Sequence, residues 1–150
     1  MGISTGPGNH NRAGGFTLIE IMVVVVILGI LAALIAPNLF EQVDKAQVTK
    51  VRADIRAVEE ALALYRLNHF KYPTTDQGLE ALVNQPADPS IRNYPRDGYL
   101  RNVPKDPWGF IYQYLSPGDH GDYDLFTYGA DGQPGGEDIN TDIGNWSLDE

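Results

Sequence analysis

From Ile21 to Phe40 the chain carries no charged residue. A helix over those twenty positions is about 30 Å long, enough to cross a bilayer. One carboxylate, Glu20, stands at the start of the run, and a short polar segment precedes it. A secretory signal has its small-residue cleavage site after the apolar region. Here the small pair Gly14-Gly15 lies before it, and no good small-x-small site follows before Pro37. Cutting at Gly15 therefore keeps the apolar segment and starts the mature chain at Phe16.

The run Gly14-Gly15-Phe16-Thr17-Leu18-Ile19-Glu20 resembles the prepilin junction of type IV pilins and secretion-system pseudopilins. That resemblance implies a dedicated membrane peptidase that cuts between Gly15 and Phe16 and methylates the new amine of Phe16. A carboxylate inside a membrane segment costs about 2.5–3.5 kcal/mol on insertion scales, so it calls for a partner or a function. The Phe16 amine, four residues away or on a neighbouring subunit, is such a partner. In the family this glutamate registers the incoming subunit, which gives Glu20 an assembly role. The plainer alternative is an ordinary anchor with Glu20 at headgroup level.

The chain has 150 residues and a net charge of −9. Removing the leader takes away Arg12 and makes it one unit more acidic. Such a domain gains nothing from a phosphate backbone, so bulk electrostatics argues against nucleic acid as a partner. There is no cysteine, hence no disulfide to brace a small domain. Arg12 precedes the span, whereas Lys45, Lys50, Arg52 and Arg56 follow it. By simple count the positive-inside rule points the wrong way, and the orientation with the leader in the cytoplasm comes from the resemblance.

The expected organisation is a leader over 1–15, a transmembrane helix over 16–39 and a periplasmic domain over 40–150. Pro37 removes one backbone hydrogen bond and is expected to kink or loosen the helix near Ala33–Ala36. Val43, Gln47, Val51, Ile55, Val58, Leu62 and Tyr65 recur at spacings of four and three, so an amphipathic helix over about 40–68 continues the anchor. One helix from Phe16 to Asn68 is about 80 Å long. A small globule cannot bury such a rod, and its first half needs lipid or other subunits. Tyr72-Pro73 ends the helix. A loop and a short helix fill about 70–100, with Thr75 as the expected cap before Leu79, Leu82 and Val83. Strands are expected at Phe110–Leu115 and Tyr123–Tyr128, around a turn at Ser116-Pro117-Gly118. The β-region and an acidic loop occupy about 108–146.

That loop, Gly129 to Asp142, crowds oxygen donors onto a glycine-rich backbone with no Lys or Arg. Hard cations such as Ca²⁺ take six to eight oxygens, commonly carboxylates mixed with backbone carbonyls. The spacing is not that of an EF-hand. Composition by itself slightly favours a solvated acidic tail, but a long loop without cysteine needs some staple.

Tyr72-Pro73-Thr74-Thr75-Asp76-Gln77-Gly78-Leu79, Val103-Pro104-Lys105-Asp106-Pro107-Trp108-Gly109, Tyr128-Gly129-Ala130-Asp131-Gly132 and Asp142-Ile143-Gly144-Asn145-Trp146 resemble, in order and spacing, the major pseudopilins of type II secretion systems. The resemblance runs from the leader to Trp146. It implies an α+β, type IV pilin-like fold, with a long N-terminal helix packed on a small antiparallel sheet and a calcium-bound C-terminal loop. It also implies the Asp131 and Asp138 carboxylates as Ca²⁺ ligands, with main-chain oxygens of Tyr128 and near Gly136. Asn140 and Asp142 are further candidates, since related sequences vary in register between Glu137 and Asp142.

The implied function is structural: a homopolymer, the periplasmic pseudopilus, that drives folded proteins out of a Gram-negative cell. The protein is then a single-pass inner-membrane protein with its C-terminal domain in the periplasm. The implied partners are the prepilin peptidase, minor pseudopilins, the inner-membrane assembly platform and the outer-membrane secretin. One rival is a type IV pilin for adhesion, motility or DNA uptake, which usually carries a cysteine pair. Another is a membrane-anchored carboxylate hydrolase using Asp131 and Glu137. No serine elbow, zinc-protease motif or phosphate-binding glycine loop is present. Trp108 and Trp146 are expected in the core, Asp106 as a turn brace, His69 as a favourable charge at the helix end, and Glu59-Glu60 as solvated.

Overall fold

A computed structural model describes Gly2 and residues 15–148, without the side chains of residues 35–39. One helix, α1 (Leu18–His69), is followed by a short 3₁₀ turn (Leu79–Leu82) and three strands: β1 (Gln113–Leu115), β2 (Asp124–Thr127) and β3 (Ile143–Gly144). A second 3₁₀ turn, Asp138–Asn140, precedes β3. The chain divides into two compact units, residues 1–41 and 42–150.

In the first unit α1 starts where Thr17 supplies both a carbonyl and a hydroxyl to the Glu20 N–H. This is half of the Ser/Thr-x-x-Glu arrangement that satisfies orphan donors at a helix start. The described side chains from Phe16 to Leu34 are exposed on every face of the helix. An apolar surface all round is a surface for lipid or for other chains. Among the described residues no helix is long and apolar enough to cross a membrane. The backbone of α1 runs on through Pro37, and the expected kink falls where the side chains lie outside the described residues. Most of the expected leader, residues 1 and 3–14, lies outside them too.

The second unit is built on the other half of α1. Val51, Ile55, Val58, Leu62 and Tyr65 are fully buried, at the spacings of four and three read from the sequence. Val43, placed on that face by periodicity, remains exposed. Burying each of these side chains contributes roughly 1.5–3 kcal/mol. They pack with Leu79, Leu82, Ile91, Tyr112, Tyr114, Leu125, Ile143 and Leu148 in one core. α1 ends at His69, and Phe70, with φ 59°, returns its N–H to the Arg66 carbonyl at 2.7 Å. Thr75 does not cap the following turn. Its hydroxyl bridges to Ser116, accepting from the N–H and donating to the carbonyl. Thr74 and Gln77 instead exchange reciprocal side chain–backbone hydrogen bonds.

The sheet is antiparallel in the order β1-β2-β3. Gln113 faces Phe126 and Leu115 faces Asp124, so the hairpin lies within the two segments expected as strands, with shorter strands. β3, two residues long, pairs with β2 and was not expected, since Gly-rich sequence gives it no strand signature. The fold is α+β, as expected.

Candidate functional site

Two regions carry the chemistry read from the sequence. At the start of α1, Gly15 has nothing within 4 Å of where a side chain would sit. Phe16 is exposed, and Glu20 is exposed in the first helical turn.

The acidic loop is closed by its own backbone. Ala130 N–H donates to the Ile139 carbonyl at 2.9 Å, and Asn140 N–H to the Glu137 carbonyl at 3.0 Å. Gly129 and Gly136, both at positive φ, press against the Asn140 carbonyl, where a Cβ at either position would collide. Only glycine combines that dihedral with that proximity. Phe110 lies over Gly132 in the same way. One Asp131 carboxylate oxygen accepts from the Gln133 N–H at 3.0 Å. One Asp142 oxygen accepts from the Gly135 N–H at 3.0 Å, while the other is buried with no hydrogen-bond partner. Asp138 is exposed at φ 55° and opens the second 3₁₀ turn; Tyr128 is half-buried against Phe126.

Asp131, Gly136, Asp138, Asn140, Asp142 and Tyr128 thus share one loop of oxygen donors, and the buried unpartnered Asp142 oxygen suits a hard cation. Among the described residues no three acidic or imidazole side chains converge into a metal cluster. A cation here would draw on backbone carbonyls as much as on carboxylates. The closeness of Gly129 and Gly136 to Asn140 was not legible from composition; two glycines seven apart are its only trace.

Around this loop the domain is braced by buried polar groups. Asp106 accepts from Trp108 N–H, Phe110 N–H and the Thr127 hydroxyl, the bracing role expected of it. Asp124 is buried and accepts from the Asp119 and His120 N–H groups and the His120 ring. Burial by itself would raise its pKa, but these donors prevail and hold it below the usual carboxylate range.

Trp108 packs against the core. Trp146 does not: it is 39% exposed and stacks on His120, with ring centroids 3.9 Å apart, because Gly144 leaves a bare surface for its ring. Glu59 is half-buried rather than solvated and accepts from the Tyr123 hydroxyl at 3.2 Å. His69 lies in the last turn of α1. Its ring hydrogen-bonds the Tyr99 hydroxyl at 2.8 Å, and burial, then Lys71, lowers its pKa.

A helix exposing apolar side chains on all faces, followed by a small α+β domain with a glycine-rich acidic loop, defines a pilin-like assembly subunit. Residues 38–146 match the family "Type II secretion system (T2SS), protein G", and residues 10–36 match the "Prokaryotic N-terminal methylation motif". The chain belongs to the type II secretion system protein G family. It is 59% identical over 136 residues to the type II secretion system core protein G of Vibrio cholerae, covering 91% of this chain and 93% of that one. It is 57% identical to the protein of that name from Pseudomonas aeruginosa, covering 91% and 97%. The fold matches the crystal structure of the major pseudopilin from the type 2 secretion system of enterohaemorrhagic Escherichia coli. There the TM-score is 0.64 and the identity 52%, over 74% of this chain and 96% of that one.

The protein is therefore a structural subunit, a major pseudopilin, and not an enzyme. This sets aside both the type IV pilin reading and the hydrolase reading of Asp131 and Glu137. Family and methylation motif together make it a membrane-anchored periplasmic protein, processed by a prepilin peptidase, with a role in a secretion pseudopilus.

Proposed function

We propose that the chain is stored as a single-pass protein of the inner membrane of a Gram-negative cell, with its C-terminal domain in the periplasm. Cleavage between Gly15 and Phe16 and methylation of the Phe16 amine produce the mature subunit. The observation that carries this reading is the methylation-motif match over residues 10–36, which brackets the Gly15–Phe16 junction and Glu20. Residues 16–39 hold the subunit in the bilayer and later line the filament core. There Glu20, an acid at the start of an apolar helix, pairs with the Phe16 amine of a neighbour and sets its register. Growth of the filament involves the inner-membrane assembly platform and minor pseudopilins, and extends toward the outer-membrane secretin.

The acidic loop takes Ca²⁺ in this reading. Asp131 and Asp138 supply carboxylates, Asp142 its unpartnered oxygen, and Tyr128, Gly136 and Asn140 main-chain or side-chain oxygens. The test of the assembly role is Glu20→Ala at native expression: inserted monomer persists while secretion stops. Normal secretion by that variant would remove Glu20 from the mechanism.

A further inference from the structure

Asp142, with one carboxylate oxygen buried and unpartnered, immediately precedes β3, so whatever holds β3 aims that oxygen. β3 itself is slight: Ile143 and Gly144 pair with Thr127 and Phe126. Two residues fall below the usual length of a strand, and the residues that follow supply further hold. The Asn145 N–H donates to the Leu125 carbonyl at 3.0 Å, and its side-chain oxygen accepts from the Leu125 N–H at 3.0 Å. Ser147 then turns the chain back on itself. Its N–H donates to the Gly144 carbonyl at 3.0 Å, and its hydroxyl accepts from the Gly144 N–H at 3.3 Å. That turn lays the Trp146 ring against Gly144, where a Cβ would collide with it.

The same indole stacks on His120, with interplanar angle 11°, and leans on Phe126 at 5.5 Å between ring centroids. His120 is fixed in its turn. Its Nδ1 lies 2.9 Å from the carboxylate of buried Asp124, which also accepts the His120 N–H at 3.2 Å. A continuous line of contacts therefore runs from Asp124 through His120 and Trp146 to Gly144 and on to Asp142. Neither His120 nor Trp146 is among the oxygen donors of the loop. Groups outside a ligand set orient the ligands, and removing one lowers metal affinity by about 10–100-fold.

We propose that Trp146, clasped by His120 and Gly144, is a positioning residue for the acidic loop: it holds β3 in place and so presents the Asp142 oxygen to Ca²⁺. The proposal rests on the calcium reading above. Coupling of this kind is reciprocal, so bound Ca²⁺ must also act on the clasp. The test uses the full chain in detergent, with Ca²⁺ affinity measured by competition against a chromophoric chelator. Trp146→Ala is expected to weaken binding about tenfold. Trp146→Phe, which keeps a flat ring to stack on His120, recovers most of that loss. Val58→Ala, in the core on α1, lowers the melting temperature and leaves the affinity unchanged. With 5-fluorotryptophan incorporated, saturating Ca²⁺ shifts the fluorine resonance of Trp146 in the parent, identified by its absence from Trp146→Phe. Trp146→Ala binding as tightly as the parent, or Val58→Ala losing as much affinity as Trp146→Ala, would overturn the clasp and leave the calcium reading standing. So would a Trp146 resonance that Ca²⁺ does not move. A parent chain that takes up no Ca²⁺ would overturn both.

Discussion

The Tyr112 hydroxyl donates to the Asp54 carboxylate at 2.9 Å, joining the β-region to α1 across 58 positions of sequence. Asp54 also receives Lys50, whose ammonium reaches on to the Lys105 carbonyl. Burial first, and then Asp54, pushes the Tyr112 phenol well above its ordinary value, so it stays a donor throughout the working pH range. These bonds lie within residues 42–150 and tie the domain's own stretch of α1 to its β-region. Tyr112→Phe removes a hydrogen bond to a charged group while keeping the ring in the core. A loss of about 1 kcal/mol in urea unfolding is expected, because Asp54 keeps Lys50. No change in stability would show that packing of the ring alone makes the connection.

Asp124 ties the turn before β2 to its own strand, and its pKa is depressed in the folded state. A carboxylate with a lowered folded pKa contributes stability that is present above the unfolded value of about 3.9 and is lost as pH falls through the folded one. Asp124→Asn is expected to lower stability by about 1–3 kcal/mol at pH 7 and to flatten the acid limb below about pH 4. Urea titrations at pH 7 and at pH 3 measure this. Parallel pH profiles for the variant and the parent would exclude Asp124 as a contributor.

Processing is expected at one bond. Replacing Gly15 with a bulky residue leaves the precursor uncut in the membrane, and intact mass spectrometry of the extracted parent gives a chain beginning at methylated Phe16. A mature form starting elsewhere contradicts the assignment.

Calcium is expected to stabilise the domain by about 2.7 kcal/mol when free ion exceeds its Kd a hundredfold. Extracytoplasmic sites work near 10⁻⁴–10⁻³ M, so thermal unfolding of the protein in millimolar calcium and in chelator brackets the range. Asp142→Asn is expected to lose most of the calcium-dependent shift, since its unpartnered oxygen becomes a neutral amide. A melting temperature indifferent to calcium in the parent would rule the site out.

Much of this was legible in the sequence because one physical signal dominated each part. The core face of α1 followed from spacing, and Val51, Ile55, Val58, Leu62 and Tyr65 are all buried. The hairpin followed from two strand-favouring segments flanking the Ser116-Pro117-Gly118 turn, and Asp106 from its place in a proline-bounded turn. What failed depended on partners far away in sequence. Thr75 looked like a cap but is claimed by Ser116, 41 residues on. His69 looked like a helix-end charge but is drawn into a ring cluster with Tyr65, Tyr94 and Tyr99. Trp146 looked like core, yet the bare surface of Gly144 and the His120 ring hold it at the surface. In the acidic loop, composition showed a crowd of oxygen donors without choosing among them, and it takes the hydrogen bond from the Gly135 N–H to one Asp142 oxygen to show that the other stays buried without a partner.

The central claim is that this chain polymerises through its N-terminal helix. The most direct measurement is electron microscopy of filaments sheared from cells producing the full-length chain with its secretion system, with mass spectrometry of the filament subunit. The expected result is filaments built of a subunit that begins at methylated Phe16, and none from Glu20→Ala despite inserted monomer. A correctly processed parent chain that stays monomeric, or a Glu20→Ala chain that forms the same filaments, would contradict it.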